Sequence, residues 1–155
     1  MTADTPPNSP ALAIVVLAAG KGTRMKSSLH KVLHPIAGRP MIDHLLASAA
    51  ELSPQRQVVV VGNERGQLEE ALAGQATIAV QEPQQGTGHS VKMAEAALAG
   101  FSGDVLILYG DVPFVRAQTM RAMLDRLHAA DVPADRKSTR LNSSHERRSR
   151  MPSSA

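Results

Sequence analysis

Cysteine is absent from the 155 residues, which excludes disulfides, thiolate metal sites and a cysteine nucleophile. Tryptophan is absent too, and one Tyr and two Phe are too few for a stacking platform on single-stranded nucleic acid. A core must therefore be built from Val, Ile, Leu, Ala and Met, and a 43% apolar content suffices for one domain. No apolar run is long enough to span a membrane. Residues 11–19 come nearest to a signal-peptide core, but Asp4, several prolines and no basic residue precede them, so the expected compartment is cytoplasmic.

Basic charge is also scarce where a nucleic-acid binder would carry it. Residues 135–155 hold six of the 17 Lys and Arg and two of the 14 Asp and Glu, a surplus of four. The remaining 11 cations face 12 carboxylates, so the body is near neutral and the sequence pI of 9.7 comes from the tail.

Four short runs rich in Val, Ile and Leu, at 13–17, 57–61, 76–81 and 104–109, read as strands buried on both faces. Helical patterns fall at 41–52, 64–73, 89–99 and 117–129, the first of them just after Pro40. Met93, Ala96 and Ala97, then Met120, Met123, Leu124 and Leu127, recur at helical spacing and predict buried stripes. Strands alternating with helices imply β-α-β crossovers and an α/β fold with a mostly parallel sheet covered on both sides. Residues 1–10 and 135–155 lack apolar periodicity and are expected to be disordered, leaving 11–134 as the folded part.

Ligands of such sheets bind beyond the carboxyl ends of the strands, where three loops here carry candidate chemistry. The first, Leu17-Ala18-Ala19-Gly20-Lys21-Gly22-Thr23-Arg24-Met25, joins a buried strand to two glycines and to the cations Lys21, Arg24 and Lys26, a composition suited to a polyphosphate. It is neither a Walker A motif nor Gly-x-Gly-x-x-Gly. In the second, Gln81 precedes Gly86-Thr87-Gly88-His89, and a Gln at a strand end offers a donor and an acceptor to a base edge. Its plainer reading is a strand-to-helix turn with Thr87 as N-cap. The third, Tyr109-Gly110-Asp111, ends in one carboxylate, a hard oxygen ligand suited to Mg²⁺, although Asp at a turn is more often only a turn residue. The six histidines show no ligand spacing with a carboxylate partner.

The string LAAGKGTRMKSSLHKVLHPIAGRPMIDH resembles the LxxGxGTRM signature of the sugar-nucleotide pyrophosphorylases. QEPQQGTGHSV resembles their QxxxxGTGHA segment, and YGDVPF their YGDVPL segment. Together, over about residues 12–133, these resemble the amino-terminal part of the bifunctional uridylyltransferase and acetyltransferase family of bacterial cell-wall precursor synthesis, within the MobA-like NTP transferase superfamily. The resemblance implies a Rossmann-like three-layer fold and transfer of a uridylyl group from UTP to N-acetylglucosamine 1-phosphate. It also implies roles: Leu17, Ala18, Ala19 and Gly20 contact the nucleotide, Gln81 reads uracil, Gly86 and Thr87 allow close approach to nucleoside and sugar, and Tyr109 and Gly110 line the site. Arg24 and Lys31 are the catalytic cations and Asp111 binds Mg²⁺. His30 precedes Lys31 where the family commonly has proline.

The family's first domain continues for about another hundred residues, and an acetyltransferase domain through which the complete protein oligomerises follows. Residues 135–155 resemble translated vector sequence fused to a truncated reading frame, so low activity is expected. The competing readings are another sugar-phosphate or molybdopterin nucleotidyltransferase, or a non-catalytic nucleotide- or nucleic-acid-binding module that uses the basic tail.

Overall fold

A computed structural model describes residues 10–20, 27–63 and 65–129, together with the backbone of 139–140. The described elements begin with strand β1 (Leu12–Ala18), then a 3-10 turn (Lys31–Leu33), a hairpin of β2 (Pro35–Ile36) and β3 (Arg39–Pro40), and helix α1 (Met41–Ala50). It continues through β4 (Arg56–Val61), α2 (Gly66–Ala71), β5 (Thr77–Val80), α3 (Thr87–Met93), a second 3-10 turn (Ala96–Leu98), β6 (Asp104–Tyr109), α4 (Ala117–Ala129) and β7 (Thr139–Arg140). The main sheet has the order β5-β4-β1-β6-β7, and every pairing in it is parallel.

β1 is central because every residue in it is buried and can be flanked on both sides. Val15 pairs with Val58 of β4 on one edge and with Ile107 of β6 on the other. Alternate residues then feed two cores. Leu12, Ile14, Val16 and Ala18 pack with Ile42, Leu45, Leu46 and Ala49 of α1, Leu68 of α2 and Met120 of α4. Val15, Leu17 and Ala19 face the opposite side, beneath Val91, Met93 and Ala94. Each fully buried Ile or Leu in these layers contributes about 1.5–3 kcal/mol relative to exposure.

The expected strands and helices are all present, together with a β2–β3 hairpin that was not expected and with differences in α3, the apolar stripes and the tail. The helix expected at 89–99 starts at Thr87 and ends at Met93, where the chain tightens: Ala94 N–H bonds Val91 O and Glu95 N–H bonds Lys92 O, both at 3.1 Å. That rotation buries Ala94 and leaves Ala96 exposed, against the expected stripe. Met120 is buried, while Met123, Leu124 and Leu127 are half-buried. In the tail, where no regular structure was expected, Thr139 and Arg140 pair with Leu106 and Ile107. The remainder of 1–9 and 135–155 lies outside the described residues. Among those described, no helix is long and apolar enough to cross a membrane.

Candidate functional site

Parallel pairing places the carboxyl ends of β1, β4, β5 and β6 on one rim, and the loops after β1, β5 and β6 carry the candidate chemistry. At β1, Leu17, Ala18 and Ala19 are buried, so their backbone is what a ligand would meet, and Gly20 is exposed. Residues 21–26, including Lys21, Gly22, Arg24 and Lys26, lie outside the described residues.

The described chain resumes at residue 27 and enters the turn that carries Lys31. Buried Val32 and Leu33 anchor this turn, and the Nδ1 of His30 accepts the Val32 N–H at 3.4 Å as its cap. His30 thus supplies an N-cap where proline is common in the resembling family. Lys31 Nζ reaches Asp111 Oδ2 at 2.8 Å, joining residues 80 positions apart. Their side chains are 38% and 44% exposed, so the pair stands open to solvent. Asp111 is held at the end of β6 because Gly110 N–H donates to Leu17 O at 2.9 Å, locking that turn against β1. A Cβ on Gly110 would lie 3.2 Å from Leu17 O and 3.3 Å from Val32 Cγ1, so glycine is what lets the two turns meet. Tyr109 is half-buried against the core that contains Val15 and Leu17.

Gln81, 2% exposed, extends from the end of β5 with its N–H on Val61 O at 2.8 Å. Its Nε2 donates to Gly86 O at 2.9 Å and meets His89 Nδ1 at 3.1 Å, while its Oε1 accepts from Ser90 Oγ at 2.6 Å. Both amide hydrogens are therefore engaged inside the loop, and one acceptor lone pair remains. Gly86 is the residue preceding α3, with φ 92°, a conformation that favours glycine, and Thr87 is the first helical residue. The expected Thr87 N-cap is thereby corrected: the helix starts one residue earlier than that reading required, and no side chain caps it. Gly86 and Thr87 are both exposed at the rim.

Between these loops lies Gly62, which follows β4. Gln84 Nε2 donates to Ala19 O across it, and a Cβ on Gly62 would sit 2.5 Å from that nitrogen. Sequence reasoning missed Gln84, Ser90 and Gly62; only Gly62, a glycine at a strand end, offered a local signal. A groove of about 770 Å³ lies at the other end of β4 and β5, lined by Gln55, Arg56 and Thr77 among others. Among its described lining residues the cation is Arg56, which donates to the carbonyls of Ala97 and Ala99 at 2.9 and 3.0 Å, so that charge is spent on the protein's own backbone.

Asp111 is a hard-oxygen donor paired with Lys31, and the described residues contain no group of three or more His, Asp or Glu able to hold a metal alone. That donor set fits Mg²⁺ completed by phosphate oxygens and water, and does not fit an all-protein cage.

A parallel α/β sheet presenting these three loops at one rim has the layout of a nucleotidyltransferase domain. The MobA-like NTP transferase domain matches residues 14–143, and the chain belongs to that family. It is 76% identical over 123 residues to the "Bifunctional protein GlmU" of Novosphingobium aromaticivorans, a match covering 79% of this chain and 27% of the relative. Against the protein of the same name from Sphingopyxis alaskensis it is 73% identical over 127 residues, or 82% and 28% of the two chains. The chain thus spans about a quarter of the length of these relatives. Among solved structures, a nucleotidyl transferase from Methanothermobacter thermautotroptrophicus superposes with a TM-score of 0.62 at 28% identity, covering 74% of this chain and 57% of that one. Rv0371c of Mycobacterium tuberculosis, in complex with manganese, shares the fold at a TM-score of 0.63 and 23% identity, covering 77% and 60%.

Proposed function

We propose that this chain carries the nucleotide-binding part of a uridylyltransferase that joins UTP and N-acetylglucosamine 1-phosphate, releasing pyrophosphate, in the cytoplasm. The observation that carries the reading is the 2.8 Å meeting of Lys31 with Asp111 on the rim beside the loops that follow β1 and β5.

The sugar phosphate oxygen attacks the α-phosphorus of UTP, and the bond to the pyrophosphate oxygen breaks. A phosphate monoester has its second pKa near about 6, so the nucleophile is mostly dianionic at neutral pH and needs no general base. The barrier lies in bringing two polyanions together, which cations and backbone N–H groups offset. Lys31 and Arg24 supply that charge, and the backbone of Leu17, Ala18, Ala19 and Gly20 lies along the nucleotide. Gln81 offers its remaining Oε1 lone pair to uracil and keeps Gly86 and Thr87 in place beside it, with Tyr109 and Gly110 closing the floor. Asp111 holds Mg²⁺, which when bound neutralises phosphate charge.

Titration calorimetry of the 155-residue chain in Mg²⁺ tests the reading. UTP is expected to bind at least about tenfold tighter than CTP or GTP, a difference of about 1.4 kcal/mol. Equal affinity for the three would overturn the assignment of the base.

A further inference from the structure

A paired contact on the rim that the proposed chemistry does not use belongs to Gln67, an exposed residue in the first turn of α2. Its Oε1 accepts the His30 N–H at 2.8 Å and its Nε2 donates to Ser28 O at 2.9 Å. One side-chain amide therefore pairs with the backbone on both sides of Leu29, as a neighbouring strand would. The two contacts span 37 and 39 residues, so they tie the first crossover to the second. α2 is anchored separately, through the fully buried Leu68 and the adjoining Leu72, so the Gln67 amide adds nothing to the core.

What those contacts do fix is the approach to Lys31. His30 is the cap of the 3-10 turn whose first residue is Lys31, and Val32 and Leu33 pin the far side of that turn in the core. Restraining residues 28–30 from outside fixes the backbone from which the lysine stem rises, and from there Nζ meets Asp111 at 2.8 Å. Gln84 likewise holds Ala19 O just after β1, so a glutamine amide restrains the backbone at residue 19 and another does so at residues 28–30.

We propose that Gln67 is a positioning residue that holds segment 28–30 so that Lys31 stands over the polyphosphate. The proposal rests on the reading of Lys31 as the cation that meets UTP. Ordering a long lysine stem costs conformational freedom, and a backbone fixed beforehand reduces what nucleotide binding must supply.

A double-mutant cycle tests it, with Gln67→Met keeping side-chain length but removing both hydrogen bonds. Gln67→Met is expected to lower UTP affinity in Mg²⁺ by about fivefold, the scale of one or two lost hydrogen bonds. In a Lys31→Met background the same change is expected to cost less than about twofold, because the group it positions is gone. Amide hydrogen exchange at His30 should accelerate in Gln67→Met while exchange at Val59 and Val60 in β4 stays unchanged. Wild-type UTP affinity in Gln67→Met, or an equal loss in both backgrounds, would overturn the proposal. Unchanged affinity in Lys31→Met alone would instead show that the phosphate role of Lys31 is wrong, and the positioning role would fall with it.

Discussion

Asp111→Asn separates the two roles that the Lys31–Asp111 pair could have. Asparagine has nearly the same shape and can still accept from Lys31 Nζ, so the change removes charge and little else. If the pair were a stability device, its loss would show in unfolding. With side chains 38% and 44% exposed, solvent screens it, and such pairs contribute about 0.2–1 kcal/mol. For a domain of this size that is a melting shift of at most about 5 °C. The effect on ligands should be larger and should change sign. Without metal, Asp111 repels an incoming triphosphate and keeps Lys31 occupied, so the Asn variant is expected to bind UTP more tightly than wild type. With Mg²⁺, the variant lacks the carboxylate. Two unit charges 4 Å apart interact by about 1 kcal/mol in water and about 4 kcal/mol at an effective dielectric near 20, and a half-exposed rim falls between. The gain in UTP affinity on adding Mg²⁺ should therefore shrink by at least about tenfold. Titration calorimetry with UTP, run with Mg²⁺ and with chelator, reads both affinities. The same Mg²⁺-dependent ratio in both proteins, or weaker metal-free binding by the variant, would refute the assignment of Asp111 as the metal ligand.

Two substitutions away from that pair probe the scaffold. Ser90→Ala removes the donor on Gln81 Oε1 in a site only 2% exposed at Gln81, and is expected to cost about 1–3 kcal/mol in urea unfolding; an unchanged midpoint would mean that the buried amide finds another partner. Gly103→Ala places a Cβ into the carbonyl of Ala11, whose oxygen accepts the Asp104 N–H at 2.7 Å, so the start of β6 must move away from β1. That overpacking should cost about 1–3 kcal/mol, and a melting temperature equal to wild type would show that the two strand ends part easily.

How far the fold could be read from the sequence depended on whether the deciding contacts were local. Val58, Val59, Val60 and Val61 announce a strand because β-branched runs buried on both faces suit only the middle of a parallel sheet, and all four are fully buried. The β2–β3 hairpin was not legible. Pro35 and Pro40 bound it, and its turn places Ala37 at φ 50° and Gly38 at φ 77°, a mirror-image turn with alanine where asparagine or glycine is usual. The bend in the chain after Met93 was likewise hidden, since Ala94, Ala96 and Ala97 look equally fit for one continuous helix.

The rim divides in the same way. Gly86 stands just before a helix and Gly110 and Asp111 just after a strand, where composition and position together flag them. The contacts that shape the rim are carried by glutamines whose partners are distant backbone atoms: Gln67 on Ser28 and His30, Gln84 on Ala19. A side-chain amide bonded to a peptide group leaves no periodicity, charge pattern or spacing in the sequence, because its partner can be any residue type. Gln81 shows the same limit from the other side. As a sequence feature it suggested an amide free to read a base with both ends, yet in the fold both of its hydrogens are engaged by Gly86 and His89. Under the proposed reading, a side chain in that state would meet uracil only as an acceptor, from its N3–H; cytosine has no N3–H but offers its 4-amino donor one position away. Selectivity for uridine over cytidine would then rest on where the loop holds that oxygen, so that Gln81, 2% exposed, would set specificity through its fixed position as well as its orientation.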